Sequence, residues 1–393
     1  MPYKRVIYNT ILNRMNEKRQ FIQIVIGPRQ TGKTTAVNQA LAEVNVPYLS
    51  VEATKNESNA DWIRAQWYQA RNLLNGHVKS ALLVIDEVQY VKNWSSVVKT
   101  LWDEDAASGI DLRVVLTGSS ATLIQEGLEE SLAGRFELIQ SPHWSFKECS
   151  EAFNYTLDDF LFFGGYPGAA PLKDDLPRWV RYMEKSVIEP SIVNDVLRMD
   201  DVRKPELMRR LFYVGAAYSS QEISYRKLLG QLDDRGNTAT IAHYLTLLGN
   251  AGIMSGLQKY DPKLLREKSS SPRLLVHNTA LMSAAYGRRR KQLLNEPDLR
   301  GRLVESAVGA YLLNQSYSEN IDVYWWREGN SEVDYVVACE DEVVAIEVKS
   351  GRVKPTQGLS DFILTYPKAR TFVVGSPQCS VEDYLLGKVK LFA

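Results

Sequence analysis

Phe21-Ile22-Gln23-Ile24-Val25-Ile26 runs straight into Gly27-Pro28-Arg29-Gln30-Thr31-Gly32-Lys33-Thr34, and this junction decides the fold. The first six residues are largely apolar and rich in isoleucine, as a short buried strand requires. The next eight have the spacing G-x-x-x-x-G-K-T, and Thr35-Ala36-Val37-Asn38-Gln39-Ala40-Leu41 continues as a helix. Strand, loop and helix in that order form the context of a phosphate-binding loop. Gly27 and Gly32 let the backbone curl so that successive N–H groups point at phosphate oxygens, and the helix N-terminus adds partial positive charge. Lys33 would reach the β- and γ-phosphates and the Thr34 hydroxyl would ligate Mg2+. The expected ATP-binding set is therefore Gly27, Pro28, Arg29, Gln30, Thr31, Gly32, Lys33, Thr34 and Thr35.

Such a loop needs an acid on another strand. Ala81-Leu82-Leu83-Val84-Ile85 leads into Asp86-Glu87. Asp86 would hold the magnesium through water, and Glu87 would polarise the attacking water. Two adjacent carboxylates favour hydrolysis over binding alone. A third apolar stretch, Leu112-Arg113-Val114-Val115-Leu116, ends in Thr117-Gly118-Ser119-Ser120. These hydroxyls either sense the γ-phosphate or orient water, or they cap the following helix. In Leu132-Ala133-Gly134-Arg135-Phe136, Arg135 is either a finger that completes a neighbouring subunit's site or a surface ion pair.

The rest of the composition is that of an ordinary globular chain. Its 393 residues predict two to three domains. Hydrophobic residues make up 45% and charged residues 24%, which excludes a wholly disordered or collagenous chain. Lys plus Arg equals Asp plus Glu at 47 each, so no global field advertises nucleic acid or membrane. Three scattered cysteines and four scattered histidines build neither a disulfide framework nor a Cys/His metal cage. With no apolar leader and no run of membrane-spanning length, the expected location is cytoplasmic.

GPRQTGKTT, LLVIDEVQ, LTGSSA, LAGRFE, SFKE and FFGGYP occur here in one order. With that set the chain resembles prokaryotic AAA-type ATPases carrying a C-terminal domain of unknown function, itself similar to PD-(D/E)XK nucleases. The resemblance implies an α/β protein: an AAA-like ATPase core with a parallel sheet over 1–150, and a helical segment over 151–204. It further implies a winged-helix-like module over 205–275 and a nuclease-like α/β domain over 276–393. It also implies that Arg135 is the finger. One departure is visible: where the family has an apolar strand, then Asp and Gly-Leu, this chain reads Leu275-Val276-His277-Asn278-Thr279-Ala280-Leu281.

Between these ends, Leu157 to Asp201 reads as helical and aromatic, with Phe160, Phe162 and Phe163 as core and Gly164-Gly165 as a turn. Residues 205–260 read as helices and a wing. Ser219-Ser220-Gln221-Glu222 signals a helix start, and Asn237-Thr238-Ala239-Thr240 opens a second amphipathic helix stopped at Gly249. Helix, turn, helix places side chains in a major groove; the same layout serves protein contacts or an intramolecular lid. Pro262 to Arg302 holds ten Lys/Arg against three Asp/Glu, sharpest at Arg288-Arg289-Arg290-Lys291. Beside a helix-turn-helix this is the footprint expected for contact with DNA phosphates.

The final constellation starts with Glu305 on an amphipathic helix, Arg302 to Leu313. Glu332-Val333-Asp334-Tyr335-Val336-Val337 and Val343-Val344-Ala345-Ile346-Glu347-Val348-Lys349 read as a hairpin turning at Glu340-Asp341. Residues two apart share a strand face, so Glu347 and Lys349 point into one site and Asp334 can face them. Asp334 and Glu347, completed by Glu305, would hold Mg2+ or Mn2+ while Lys349 orients water. By the resemblance these are the PD-(D/E)XK positions. The expected function is ATP hydrolysis coupled to a DNA-binding, metal-dependent nuclease module, in a chain able to form homo-oligomers. Its alternative is an ATP-dependent switch whose C-terminal half binds protein or DNA without cutting.

Overall fold

A computed structural model describes residues 3–55, 59–118, 131–196, 202, 204–232, 237–262, 271–287, 289–351 and 357–392. The chain divides into two units, Met1–Ser141 and Pro142–Ala393. The expected divisions near 204 and 275 fall inside the second.

In the first unit, five strands form one parallel sheet: β1 (Ile22–Ile26), β2 (Tyr48–Glu52), β3 (Ser80–Asp86), β4 (Asp111–Gly118) and β5 (Phe136–Gln140). Their order is β2-β3-β4-β1-β5. Parallel neighbours need long crossovers, and these bring helices onto both faces. Alternate residues of β1 therefore enter different cores. Ile22, Ile24 and Ile26 pack with Ile63 and Trp67 of α3 (Ala60–Arg71) and Val98 and Leu101 of α4 (Trp94–Ala107). Val25 packs with Ile7 and Ile11 of α1 (Val6–Asn16) and Val37 of α2 (Lys33–Leu41). A two-sided sheet explains why β1 reads as a continuous apolar run. Because β4 lies between β1 and β3, the strand feeding the phosphate loop and the strand bearing Asp86 are not neighbours, and the end of β4 reaches between them.

The second unit opens with two helices, Phe146–Phe153 and Leu157–Phe163, each started by a reciprocal capping box, Ser145 with Glu148 and Thr156 with Asp159. Helix Leu176–Tyr182 continues into wider π-type turns at Met183–Ile188 and Ser191–Val196. Helix Pro205–Ala217, strand β6 (Gln221–Glu222), helices Tyr225–Gln231 and Thr238–Asn250, and strands β7 (Met254–Leu257) and β8 (Arg273–Val276) follow. Their three strands form an antiparallel sheet in the order β6-β8-β7. Ser219 to Glu222, read from sequence as a helix start, instead carries β6; the next helix begins at Tyr225 with Ser224 as its cap.

Helices Thr279–Tyr286 and Pro297–Ser316 lead to a four-stranded sheet, β9 (Asp322–Glu328), β10 (Ser331–Cys339), β11 (Glu342–Val348) and β12 (Arg370–Val374), in the order β12-β11-β10-β9. β9, β10 and β11 are antiparallel, the β10–β11 hairpin turning at Glu340-Asp341 as expected, and helix Gln357–Thr365 precedes the parallel β12. No helix among the described residues is long and apolar enough to cross a membrane.

Candidate active site

The phosphate loop leaves the C-terminal end of β1. A Cβ on Gly27 would lie 2.1 Å from the Ser141 carbonyl oxygen, so only glycine permits this approach. Gly32 is left-handed at φ 84, ψ 28 and starts α2, a backbone geometry that costs any residue with a Cβ. Thr31 Oγ1 donates to the Pro28 carbonyl at 2.9 Å. Buried Arg5 donates to the Thr31 carbonyl at 3.1 Å and to Ser141 Oγ at 3.2 Å, bracing the loop from outside. Lys33 is buried too, its ammonium donating to the carbonyls of Gly27 (2.9 Å) and Pro28 (2.7 Å). The Arg29 guanidinium meets the Tyr90 hydroxyl at 3.3 Å.

Across from the loop, Thr34 Oγ1 donates to Asp86 Oδ2 at 2.7 Å. The other oxygen of Asp86 accepts from the Thr117 hydroxyl at the end of β4 and from the Glu87 N–H at 3.0 Å. That N–H also reaches Thr117 Oγ1 at 3.3 Å. Glu87 itself is left-handed (φ 53, ψ 40), a conformation costing a non-glycine residue of order 1 kcal/mol or more. Its carboxylate accepts from Gln89 Nε2. Burial raises the Asp86 pKa, the Thr34 hydroxyl works against that rise, and the Glu87 charge adds to it. A hydroxyl and a carboxylate in contact beside the loop are hard oxygen donors that suit Mg2+. Thr117, expected to sense phosphate, orient water or cap a helix, holds the Asp86 carboxylate and the Glu87 backbone N–H. Ser119 and Ser120 lie outside the described residues.

Arg135 stands at the opposite end of the strands, just before β5. Its carbonyl accepts the N–H of Ile22, the first residue of β1, whereas the loop departs from the last. At about 3.3 Å per residue the two ends of β1 are ~13 Å apart. The guanidinium makes a two-pronged pair with Asp103, Nε–Oδ1 2.8 Å and Nη2–Oδ2 3.0 Å. Within one chain Arg135 is thus a surface ion pair, away from its own phosphate loop.

The C-terminal residues do converge. In the β10–β11 register Tyr335 faces Ile346, so the next step sets Asp334 against Glu347. Lys349 Nζ donates to Glu347 Oε1 at 2.5 Å, and Asp334 Oδ2 accepts the Val348 N–H at 2.8 Å. Glu305 approaches from its helix. Sequence reasoning missed the residue at the centre, Arg273. Counted there as part of a basic surface, it is only 2% exposed. Its guanidinium meets Asp334 Oδ1 at 3.1 Å, Glu305 Oε2 at 3.3 Å and Glu332 Oε1 at 2.5 Å. Burial opposes its charge, yet Asp334, Tyr335, Glu305 and Glu332 together hold its pKa above the ordinary value. Burial and the neighbouring acids push both Glu305 and Glu347 up. Among the described residues no group of three or more His, Cys, Asp or Glu is arranged to hold a metal ion. Of the expected shell, Glu305 and Asp334 are drawn instead to a guanidinium, and Glu347 pairs with Lys349.

The basic stretch needs the same correction. Besides Arg273, Arg302 is turned to the Ala217 carbonyl and the Tyr286 hydroxyl, and Arg300 pairs with Asp158 at 2.9 Å. Arg289 and Lys291 are exposed; Lys263, Arg266, Lys268 and Arg288 lie outside the described residues.

Comparison with known proteins matches three parts of the chain. Residues 19–150 match the AAA domain, residues 154–292 a domain of unknown function (DUF8612) and residues 300–382 another (DUF4143). An uncharacterized protein of Haemophilus influenzae is 23% identical over 351 residues, covering 84% of this chain and 82% of its own length. One of Methanocaldococcus jannaschii is 22% identical over 353 residues, covering 82% and 73%. Among solved structures, the replication initiator DnaA bound to AMPPCP and single-stranded DNA is similar at a TM-score of 0.32, with 16% identity, 62% of this chain and 88% of that one. A structure from a study of katanin self-assembly gives a TM-score of 0.28, with 15% identity, 38% of this chain and 55% of that one. Likenesses of that size assign no function. Residues 19–150 are an AAA-type ATPase domain.

Proposed function

We propose that this chain is an ATP-driven switch: the AAA domain hydrolyses ATP, and its nucleotide state governs binding of DNA by the C-terminal unit. One observation carries the ATPase reading. Thr34, Asp86, Thr117 and Glu87 form a single hydrogen-bonded set at the end of the sheet from which the phosphate loop departs. In this reading the loop N–H groups and the Lys33 ammonium bind the phosphates and offset charge at the transferred group. Thr34 and Asp86 would hold Mg2+, which when bound neutralises charge on the phosphate oxygens. Thr117 fixes Asp86, and Glu87 takes the proton from the attacking water.

DNA as the coupled partner is supported by the helix–strand–helix–helix–strand–strand order of residues 205–276 and by exposed Arg289 and Lys291. Cleavage is the second reading. Asp334, Glu347 and Lys349 do come together, but Arg273 stands among the acids, which favours binding without cutting.

The coupling is tested by the anisotropy of a labelled duplex with Glu87→Gln protein in ATP and in ADP. The expected affinities differ by about fivefold or more. Equal affinity in ATP, in ADP and without nucleotide would remove DNA from the reading.

A further inference from the structure

The acids around Arg273 come from three places in the fold. Glu305 lies on helix Pro297–Ser316, Glu332 and Asp334 lie on β10, and Glu347 lies beside Asp334 on β11. Arg273 comes from elsewhere, as the first residue of β8 in the three-stranded sheet, paired with Glu222 and Leu257. Burying an arginine is expensive unless its charge is met. Here three carboxylates meet it, and the residue is held by a strand on either side. A guanidinium in that position does for the acids what a divalent ion would do. It gathers oxygens of Glu305 and Asp334 and offsets their mutual repulsion. Both oxygens of Asp334 are already engaged, one by Arg273 and one by the Val348 N–H. Glu347 Oε2 is a buried acceptor with no hydrogen-bond partner, and Arg273 Nε is a buried donor with none.

We infer that Arg273 is a built-in cation: β8 delivers a guanidinium into the carboxylate cluster of the four-stranded sheet and keeps divalent metal out. The basic residue here is structural, and the nuclease-like constellation is closed by the neighbouring sheet. Removing the guanidinium frees Asp334 Oδ1 and Glu305 Oε2, whose charges repel each other and that of Glu347, and a hard cation drawn in among these oxygens relieves that repulsion. Arg273→Met keeps the bulk of the stem and removes the charge. Glu305 and Asp334, left unmatched while Glu332 keeps Arg327, destabilise the fold, and a cation that restores the match stabilises it again. The inference concerns the C-terminal cluster alone and does not depend on ATP hydrolysis.

Manganese is the probe, in titration calorimetry and thermal unfolding of full-length, nucleotide-free protein. Wild type and Asp334→Asn should bind Mn2+ alike, because neither offers the cluster to a metal. Arg273→Met should bind Mn2+ about tenfold or more tighter than wild type, since a unit charge within contact distance is gone. That gain should vanish in Arg273→Met/Asp334→Asn. Mn2+ should also raise the unfolding temperature of Arg273→Met but not of wild type. If Arg273→Met folds only with Mn2+ present, the inference is upheld. It is overturned if wild type binds Mn2+ at a site that Asp334→Asn abolishes, a comparison that holds even where the arginine variant cannot be purified. It is equally overturned if folded Arg273→Met gains no Mn2+ affinity.

Discussion

His277 and Asn278 stand where the resembling family has an acid, and they are knitted into the interior. His277 Nε2 meets Ser255 Oγ at 2.7 Å and its Nδ1 faces the Tyr317 hydroxyl at 3.3 Å. Asn278 Oδ1 accepts N–H groups from Gly165 and Ala280, both at 3.1 Å, while its amide faces His143 Nδ1. Burial, reinforced by His143, pushes His277 down to about 3. A histidine whose pKa is depressed by folding contributes stability that is present above its unfolded pKa of about 6.5. That contribution is lost as the pH falls from there toward 3, at up to ~1.4 kcal/mol per pH unit. His277→Gln should therefore lose less stability than wild type between pH 7 and pH 4.5, read as the difference in urea midpoints. Parallel losses in the two proteins would show that His277 titrates normally.

At the scale of elements, the turn after helix Leu157–Phe163 exists because two glycines let chains touch. A Cβ on Gly164, which has φ +60, would lie 1.9 Å from Asn278 Oδ1; one on Gly165 would lie 2.2 Å from the Trp144 carbonyl oxygen. Gly164→Ala should cost roughly 2–4 kcal/mol, combining positive φ with overpacking. Gly230→Ala, in a helix where a Cβ meets nothing within 4 Å, should be neutral or stabilise by up to ~1 kcal/mol. Thermal unfolding of both variants checks the contrast; an equal loss would show that the close approach is not what Gly164 provides. What sequence made legible follows the same division between local and distant. The phosphate loop, the Asp86-Glu87 strand end, the hairpin at Glu340-Asp341 and the shared face of Glu347 and Lys349 are set by neighbours a few residues apart. Arg273 was misread because its partners lie 32 to 61 residues away and a basic run surrounds it in sequence. Arg5 carried no signal at all, since its role against Thr31 and Ser141 appears only once β5 lies beside β1. Strand order was equally hidden, because crossovers decide it rather than any strand's own residues.

For the molecule as a whole, the placement of Arg135 sets a condition on assembly. It lies at the strand end away from its own Lys33, so as a finger it would have to enter another copy's site. Arg135→Ala should then lose turnover while keeping ATP affinity. Mixing it with Lys33→Ala protein should restore part of the activity, because some interfaces pair an intact loop with an intact finger. Full ATPase activity in a strictly monomeric protein would leave Arg135 as the partner of Asp103 only. Beneath assembly and coupling lies one claim, that Thr34, Asp86 and Glu87 form a hydrolytic site at the phosphate loop. Steady-state ATP hydrolysis at saturating Mg2+, with ATP affinity measured alongside, tests it most directly in wild type, Lys33→Ala and Glu87→Gln. The predicted result is turnover in wild type, weak binding and no turnover in Lys33→Ala, and retained binding with turnover lower by about a hundredfold or more in Glu87→Gln. Hydrolysis by Glu87→Gln at the wild-type rate, or none by wild type with ATP bound, would contradict it.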